Sequence, residues 1–383
     1  MHDWQTVLAA LPLFFWLGAT WEVMRGNRRL KRLATLTAPV PLVWPRASVI
    51  FAARNEGRTL GAAVPTMLAL DYPDFELIAV DDRSEDDTGA VLDRLAAANP
   101  RLKVDHVREL PPGWIGKNHA LHHGAQQATG EWILFTDADI HFSPDTLRRA
   151  IAYARAQNLD HLAAVPQLNE RGHLLGICVN AFSFAFTLGI RPWRIPDPRT
   201  AAHGGVGAFN LVRAATYRKL GGHGPIRLRP DDDIKLGKLM KAGGWSEMVL
   251  GAGAISVAWY ATVSELIRGL TKNAFAGADY RLWVPPFGAT LMAGLFLWPL
   301  GALFLTTGPA WWCYAGGAAL MLWLGWDQTR FAGGRRWHGL FLPLGMAIFS
   351  YILLRSMVVT LWTGGITWRG THYPLRDLRA NRL

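Results

Sequence analysis

The chain has 383 residues, half of them hydrophobic, and a formal net charge of +11. This length accommodates one α/β domain of roughly 230–250 residues together with membrane segments. The only two cysteines, Cys178 and Cys313, exclude a disulfide framework and fit a reducing compartment. The basic excess suggests nucleic acid, an anionic membrane face or phosphorylated substrates as partners. The 18 Trp and 39 Gly favour a membrane among these.

An apolar run covers residues 6–24. It lacks a charged leader and a clear small-residue cleavage site, so we expect a retained anchor rather than a signal peptide. Basic residues follow directly: Arg25, Arg28, Arg29, Lys31 and Arg32. The positive-inside rule places that side in the cytoplasm. We therefore predict a transmembrane anchor at 1–26 and a basic, proline-rich linker at 27–46.

Residues 47–255 are predicted to form one α/β domain, because apolar strand-like runs alternate with helical patterns. The predicted strands are 47–53, 75–80 and 132–136. The predicted helices are 59–70, 88–98 and 118–128. A further helix up to residue 157 is expected to have Ser143 as N-cap and Pro144 in its first turn. The alternation predicts a mostly parallel sheet.

Apolar runs also occur at 173–190, 284–306, 310–326 and 340–362. A single crossing at 173–190 would separate the halves of the predicted domain, so a core or interfacial helix is favoured there. We predict an interfacial amphipathic segment at 256–283, transmembrane helices at 284–364 and a basic cytoplasmic tail at 365–383. The last run is favoured as re-entrant or interfacial, which keeps the tail cytoplasmic. The expected location is the cell membrane, multi-pass, with the α/β domain at 47–255 cytoplasmic.

Three acidic clusters carry the candidate chemistry. Asp137 and Asp139 follow an apolar strand, and residues two apart on a strand point the same way. Such a pair suits a hard divalent cation that bridges to substrate phosphates. Asp81 and Asp82 end another strand, where either could contact a nucleotide or serve turn chemistry. The run 231–233 precedes a helix; packed carboxylates repel, and burial raises a pKa, as a general base requires.

Gly116 and Lys117 enter a helix after a proline-rich loop, so Lys117 could pair with a diphosphate or simply be solvated. No dinucleotide-binding or P-loop glycine pattern occurs. In chain order the motifs are A-R-N-E, V-D-D-R-S, G-K-N, T-D-A-D, Gly204-Gly205 and D-D-D. In this order and spacing they resemble the family-2 glycosyltransferases with the GT-A fold, a Rossmann-like mixed α/β sheet. The tail W-R-G-T-H-Y resembles the ending of membrane members that act on lipids, such as hopanoid-associated, carotenoid-acid or ceramide enzymes.

The resemblance implies roles for individual residues. Asp137 and Asp139 would hold Mg²⁺ or Mn²⁺ on the diphosphate of a UDP- or GDP-sugar, and Lys117 would meet that diphosphate. Asp81, with Asp82 beside it, would contact the nucleoside base in a pocket lined by Ala53 and Glu56. Asp233 would deprotonate the acceptor hydroxyl beside Asp232. The further donor-binding candidates are Gly204, Gly205 and Lys272.

The resemblance implies inverting, metal-dependent sugar transfer to a lipid or other membrane-associated acceptor. The Q-x-x-R-W motif of processive members is absent; the corresponding stretch begins at Leu270. A processive polysaccharide synthase, a polyprenyl-phosphate sugar synthase and a non-catalytic nucleotide-sugar-binding membrane protein are the alternatives. Because much of the basic excess lies beside apolar segments, anionic lipid is favoured over nucleic acid.

Overall fold

The computed structural model describes residues 3–332 and 334–383, which divide into two compact units. The helical unit comprises the chain up to Arg29, Leu168–Arg191 and Trp259–Ile366. The α/β unit comprises Leu30–Gln167, Pro192–Ala258 and Thr367–Leu383. Each unit is therefore assembled from segments that are distant in sequence.

The strands, in chain order, are β1 (Ala47–Ala53), β2 (Phe75–Asp82), β3 (Leu102–Val107), β4 (Trp132–Asp137), β5 (His141–Phe142), β6 (His161–Val165), β7 (Gln167–Leu168), β8 (Asn210–Arg213), β9 (Ser246–Leu250), β10 (Ile255–Val257), β11 (Gly365–Trp368) and β12 (Thr371–Pro374).

The α-helices are α1 (Asp3–Asn27), α2 (Gly57–Leu68), α3 (Thr88–Ala98), α4 (Gly116–Gln127), α5 (Thr146–Ala156), α6 (His173–Ile190), α7 (Ala214–Lys219), α8 (Asp232–Gly243), α9 (Val263–Gly277), α10 (Val284–Met292), α11 (Trp298–Ala302), α12 (Gly308–Ala332), α13 (Leu342–Trp362) and α14 (Leu375–Ala380). Short 3₁₀ turns lie at Leu33–Thr35, Pro192–Arg194, Gly224–Ile226 and Arg336–Phe341, and a π-helical stretch at Ala293–Leu297 joins α10 to α11.

The α/β unit is built on a seven-stranded mixed sheet in the order β3-β2-β1-β4-β8-β6-β9. Strands β3, β2, β1 and β4 run parallel, and β6 is parallel to β9. Strand β8 is antiparallel to both of its neighbours, β4 and β6. The predicted parallel sheet is confirmed for the first half of the unit, and β8 makes the whole sheet mixed.

The central strands are buried on both faces, which explains their nearly continuous apolar sequences. Ile50, Ile78, Ile133 and Phe135 belong to one core cluster, which also contains buried residues of α4 and α8. Helices α4 and α8 therefore pack onto the sheet, and their N-termini carry the candidate residues Lys117 and Asp232.

The predicted strand β1 and helix α3 have the expected bounds, and β2 extends two residues further, to Asp82. The predicted start of α5 is wrong, because the helix begins at Thr146 with Asp145 as N-cap. Ser143 is engaged elsewhere: its backbone N–H donates to the Ala254 carbonyl and its hydroxyl to the Gly253 carbonyl. These bonds hold Ser143 beside β10, outside the helix.

The helical unit consists mainly of α1, α6 and α9–α13. Trp16 is fully buried and packs against Phe184 and Phe296. Its indole N–H donates to the Leu295 carbonyl at 3.0 Å, within the π-helical stretch. A π turn displaces a carbonyl from its regular partner, and Trp16 satisfies this one.

Four helical segments among the described residues are long and apolar enough to cross a membrane: Trp4–Asn27, His173–Arg194, Val284–Ala302 and Arg336–Trp362. The second contains α6, for which a core or interfacial helix was favoured from the sequence. Helix α6 also belongs to the helical unit, so 47–255 is not one uninterrupted domain. The predicted span 310–326 lies in α12, which is not among the four segments found in the described part of the chain.

The residues from Thr367 onwards belong to the α/β unit, although the sequence suggested a separate basic tail at 365–383. Strands β11 and β12 pair as a two-stranded ribbon, and α14 follows with Leu378 fully buried. Arg369 and Gly370, both with positive φ, form the turn between the strands. A turn with two positive φ angles matches the twist of a hairpin.

Candidate active site

The register of the sheet brings three predicted site segments to one edge. Ala53 pairs with Asp81 across β1 and β2, and Ala52 pairs with Asp137 across β1 and β4. These positions lie at the carboxyl ends of parallel strands, where open α/β sheets bind their ligands. A short polar segment after each strand therefore faces the same crevice.

Lys117, in the first turn of α4, lies between two of the acidic clusters. Its Nζ is 2.8 Å from Asp137 Oδ1 and 3.5 Å from Asp232 Oδ2. Burial alone would lower the pKa of Lys117, but the carboxylates of Asp137, Asp232 and Asp233 outweigh burial and raise that pKa. The lysine therefore stays charged beside a group of acids, where an incoming phosphate could also be bound.

The three aspartates at the start of α8 have different partners. Asp231 accepts a bidentate pair from the buried Arg229, at 2.8 and 2.9 Å, and also lies near Lys235. Its charge is therefore neutralised by buried cations. Asp232 pairs with Lys117, whereas Asp233 accepts backbone N–H donors from Gly207 at 3.0 Å and Ile234 at 2.8 Å.

Asp233 has the properties expected of a proton acceptor. Burial, followed by the nearby Asp232 carboxylate, raises the pKa of Asp233 to about 7, whereas Lys117 acts in the opposite direction. A base with a pKa near the working pH transfers protons efficiently. The carboxyl group is held in place by the two backbone donors, so its orientation does not depend on the acceptor.

Gly205 and Gly207 lie against these aspartates so closely that a side chain would not fit at either position. A Cβ on Gly205 would be 2.1 Å from the Asp233 carbonyl oxygen, and one on Gly207 would be 2.6 Å from Asp137 Oδ2. Gly204 packs its carbonyl against Gly237 of α8. Gly204 and Gly205 were predicted from sequence, whereas Gly207, which touches both Asp137 and Asp233, was missed.

Asp139 does not continue the strand, contrary to the expected alternation. Strand β4 ends at Asp137, and Asp139 lies in the turn that follows. Burial and the carboxylates of Asp137 and Glu56 raise the pKa of Asp139 to about 7. Asp139 therefore still lies close enough to Asp137 for their charges to interact, although strand geometry is not the reason.

A divalent cation fits this pair of carboxylates. Burial first, and then the negative charges of Asp137 and Glu56, raise the pKa of Asp139, and a hard cation held by Asp137 and Asp139 would offset these effects by stabilising the carboxylate. Within residues 3–332 and 334–383, no group of three or more His, Cys, Asp or Glu side chains forms a ready metal cage. The two aspartates would thus supply part of the coordination, and phosphate oxygens or water the rest.

The candidates of the V-D-D-R-S motif separate to opposite faces of β2, as residues one apart on a strand must. Asp81 Oδ2 is 2.9 Å from His106 Nδ1, and Asp81 Oδ1 accepts the Ser84 N–H. The hydrogen bond to Asp81 is the main cause that raises the pKa of His106. Asp82 instead accepts a bidentate pair from Arg83, at 2.7 and 3.0 Å.

Ala53 is the last residue of β1 and Glu56 follows it as the N-cap of α2, at the positions expected for the predicted nucleoside pocket. Glu56 is paired with Arg369, whose Nη2 is 2.5 Å from Glu56 Oε1. The contacts of the predicted site residues with His106, Arg83 and Arg369 were not foreseen from sequence. The adjacent Arg in V-D-D-R-S was a usable signal, because a neighbouring cation predicts that one of the two aspartates is neutralised.

Lys272 lies in α9, which belongs to the helical unit, whereas the other site candidates belong to the α/β unit. The residues that the structure gathers are Lys117, Asp137, Asp139, Asp232 and Asp233, with Gly204 and Gly205 against them.

The fold and this edge of the sheet define a GT-A domain. A mannosyltransferase of Pyrobaculum calidifontis, solved in complex with GDP-Man and Mn²⁺, superposes with a TM-score of 0.59 at 20% sequence identity and covers 94% of this chain and 99% of its own. At this identity the likeness establishes the fold. Residues 48–172 match the family model described as Glycosyl transferase family 2.

Two curated proteins are similar in sequence to part of this chain. A beta-monoglucosyldiacylglycerol synthase of Synechocystis sp. is 33% identical over 169 residues, 40% of this chain and 34% of the relative. A GalNAc(5)-diNAcBac-PP-undecaprenol beta-1,3-glucosyltransferase of Campylobacter jejuni is 33% identical over 95 residues, 25% of this chain and 30% of the relative. The match thus spans only about a third of the length of these relatives.

Proposed function

We propose that this protein is an inverting glycosyltransferase that moves a sugar from a nucleotide-diphosphate sugar to a hydroxyl of a lipid acceptor. One observation carries the proposal: Lys117 lies within ion-pair distance of both Asp137 and Asp232, so the predicted diphosphate-binding and base-bearing clusters form one group. Turn formation, helix capping or a solvated lysine could each account for one of these motifs taken alone. None of them accounts for the fact that the motifs lie within ion-pair distance of one another.

Lys117 and Asp233 have different roles in the proposed reaction: the first stabilises the leaving group and the second accepts the proton. The acceptor oxygen forms a bond to the anomeric carbon as the bond from that carbon to the diphosphate oxygen breaks. The nucleoside diphosphate leaves with the bonding electrons, and the charge of Lys117 balances its growing negative charge. The Asp233 carboxylate accepts the hydroxyl proton. A single displacement of this kind inverts the configuration at the anomeric carbon.

A divalent cation held by Asp137 and Asp139 would add positive charge at the diphosphate. The ion pair of Lys117 with Asp137 suits this role, because a cation on Asp137 would release the lysine toward the phosphates. The GT-A relative solved with GDP-Man and Mn²⁺ supports a nucleotide sugar and a metal as ligands of this fold. The donor here would be a UDP- or GDP-sugar.

A membrane location and a lipid acceptor are supported by two independent observations. Four segments are apolar and long enough to cross a bilayer, and the two curated relatives are named for diacylglycerol- and undecaprenol-linked acceptors. The basic residues after α1 favour the cytoplasmic side for the α/β unit. The protein would thus bind its acceptor from the bilayer.

The test uses membranes that contain the full-length protein, labelled UDP- and GDP-sugars, and Mn²⁺, Mg²⁺ or EDTA. Mass spectrometry identifies the labelled lipid. We expect one donor to label lipid in the presence of metal, and Asp233→Asn to reduce transfer roughly 10²–10⁴-fold while nucleotide binding is retained.

Asp145→Asn is the matched control, because Asp145 is a half-buried N-cap of α5 paired with Arg149, outside the site. Its transfer rate should equal that of the wild type. Full activity of Asp233→Asn would overturn the base assignment. If that active variant also glycosylates a polyprenyl phosphate, the polyprenyl-phosphate sugar synthase is the better description, since a phosphate nucleophile needs no strong base.

A further inference from the structure

The C-terminal segment Thr367–Leu383, called the tail below, makes hydrogen bonds to several elements that carry site residues. It belongs to the same compact unit as those elements. Its contacts lie at the end of β1, at the N-terminus of α4 and on the segment before α8. A basic appendage that served only to bind anionic lipid would not need these contacts.

Arg369 contacts the proposed nucleoside end of the site. Its Nη1 donates to the Arg54 carbonyl at 2.8 Å, and its Nη2 donates to Glu56 Oε1 at 2.5 Å. Both acceptors follow directly on β1. Arg369 has φ 49°, in the left-handed region, so the hairpin turn holds the arginine in an unfavourable conformation that a non-glycine residue seldom adopts.

Tyr373 contacts the proposed diphosphate end. Its side chain is buried, and its hydroxyl accepts the Gly116 N–H at 3.2 Å. Gly116 is the first residue of α4, directly before Lys117. The Tyr373 hydroxyl also hydrogen-bonds Arg83. Tyr373 therefore fixes a helix N-terminus, the kind of site that binds phosphate through free backbone N–H groups.

The end of the tail is anchored independently of these two residues. The Asn381 side chain accepts the Leu228 N–H at 3.0 Å and donates to the Pro225 carbonyl at 2.9 Å. Lys238 Nζ donates to the Leu383 carbonyl at 2.7 Å. Arg369 and Tyr373 can thus be altered without removing the attachment at Asn381.

We infer that the tail forms a wall of the donor site, in which Arg369 positions Glu56 and the Arg54 backbone for the nucleoside and Tyr373 positions the N-terminus of α4 for the diphosphate. The inference rests on the proposed function, since it assigns these residues to a nucleoside diphosphate ligand. Both act through other residues and are positioning residues. Their loss weakens donor binding more than it slows transfer.

The test measures the Kd of UDP and GDP by calorimetry on the full-length protein in detergent, and the KM and kcat of the donor. Arg369→Ala should raise both the Kd of the bound nucleotide and the donor KM about tenfold, because two charge-assisted bonds to the pocket are lost. The kcat should change less than about twofold. Tyr373→Phe should raise the same Kd, and Arg369→Lys should restore part of the loss.

Arg376→Ala is the matched control, because Arg376 is an 88% exposed tail arginine paired with its neighbour Asp377. Its Kd and KM should equal those of the wild type. Unchanged nucleotide affinity in both Arg369→Ala and Tyr373→Phe would overturn the inference, as would a lower Tm and kcat with an unchanged KM. If the wild type binds neither nucleotide, the proposed function and this inference both fail. Tight binding by wild type and variants alike removes this inference alone.

Discussion

At the scale of single residues, the three consecutive aspartates before and within α8 have identical side chains but different interaction partners, and these partners give them different roles. Asp231 faces Arg229, Asp232 faces Lys117, and Asp233 accepts backbone N–H groups. Breaking a buried ion pair leaves an unbalanced charge and costs several kcal/mol. Asp231 is therefore assigned to stability, and we assign proton transfer to Asp233.

The raised pKa of Asp233 predicts how transfer depends on pH. Burial and Asp232 raise that pKa to about 7, and only the deprotonated carboxyl can accept a proton. The kcat should therefore be about half its maximum near pH 7, level off about one pH unit higher, and fall about tenfold per pH unit well below pH 7. It is measured from pH 5.5 to 9 at saturating donor and metal, with Asp145→Asn as the control. Constant kcat down to pH 5.5 would show that Asp233 is not the base.

A second prediction at this scale concerns Gly207. In Gly207→Ala the new methyl would be 2.6 Å from Asp137 Oδ2, a movable side-chain atom, so the carboxylate should rotate away rather than unfold the loop. We expect a drop in transfer of at least about tenfold with little change in Tm. Gly61→Ala, with no atom within 4 Å of its Cβ, is the control. Wild-type transfer by Gly207→Ala would mean that the Asp137 orientation does not matter.

At the scale of elements, α4 is tied to the segment before α8 by one buried amide. Asn118 Nδ2 donates to the Ile226 and Arg229 carbonyls, each at 2.9 Å, and Ile115 N–H donates to the Arg227 carbonyl at 2.9 Å. Lys117 belongs to α4 and Asp232 to α8, so these bonds hold the two helices at the distance that their ion pair requires.

Asn118→Ala should therefore reduce both stability and transfer. Two buried carbonyls lose their donor, which costs about 2 kcal/mol or more, and Lys117 moves relative to Asp232. Thermal unfolding in detergent and the rate of transfer measure the two effects. Gln126→Ala, an exposed change on the same helix, is the control. Equal Tm values for the two variants would contradict the role assigned to Asn118.

At the scale of the whole molecule, the α/β unit contains both the residues after the linker and the tail. Positions 85 and 376 thus belong to one compact unit, although transmembrane candidates separate them in the chain. We therefore propose that both positions lie on the same side of the bilayer, and the positive-inside rule favours the cytoplasmic side.

This topology is tested with Glu85→Cys and Arg376→Cys, each in a chain whose two cysteines have been replaced by Ser. A membrane-impermeant thiol reagent should label neither variant in intact cells and both in inverted vesicles, since both residues are exposed. A detergent-solubilised sample provides the control for reactivity. Labelling of only one variant in intact cells would contradict a common side.

The order of strands, helices and acidic motifs was readable from the sequence, because buried parallel strands are continuous apolar runs and the motifs follow them directly. Strand β1 and helix α3 were placed to the residue, and Asp137 and Lys117 were identified as candidates. What sequence order cannot specify is pairing across the sheet. The insertion of β8 between β4 and β6 depends on long-range hydrogen bonds.

The division of roles among neighbouring residues was decided by tertiary structure alone. Asp81 and Asp82 have the same side chain, but strand alternation turns one to His106 and the other to Arg83. Glu56 and Arg369 are separated by most of the chain and meet only after the tail folds against β1. The sequence by itself determined where the strands end and that acidic and basic residues follow them, because these features are visible in the local pattern of residues. The fold decided which of these residues form ion pairs and hydrogen bonds with one another, since both interactions depend on distance in space.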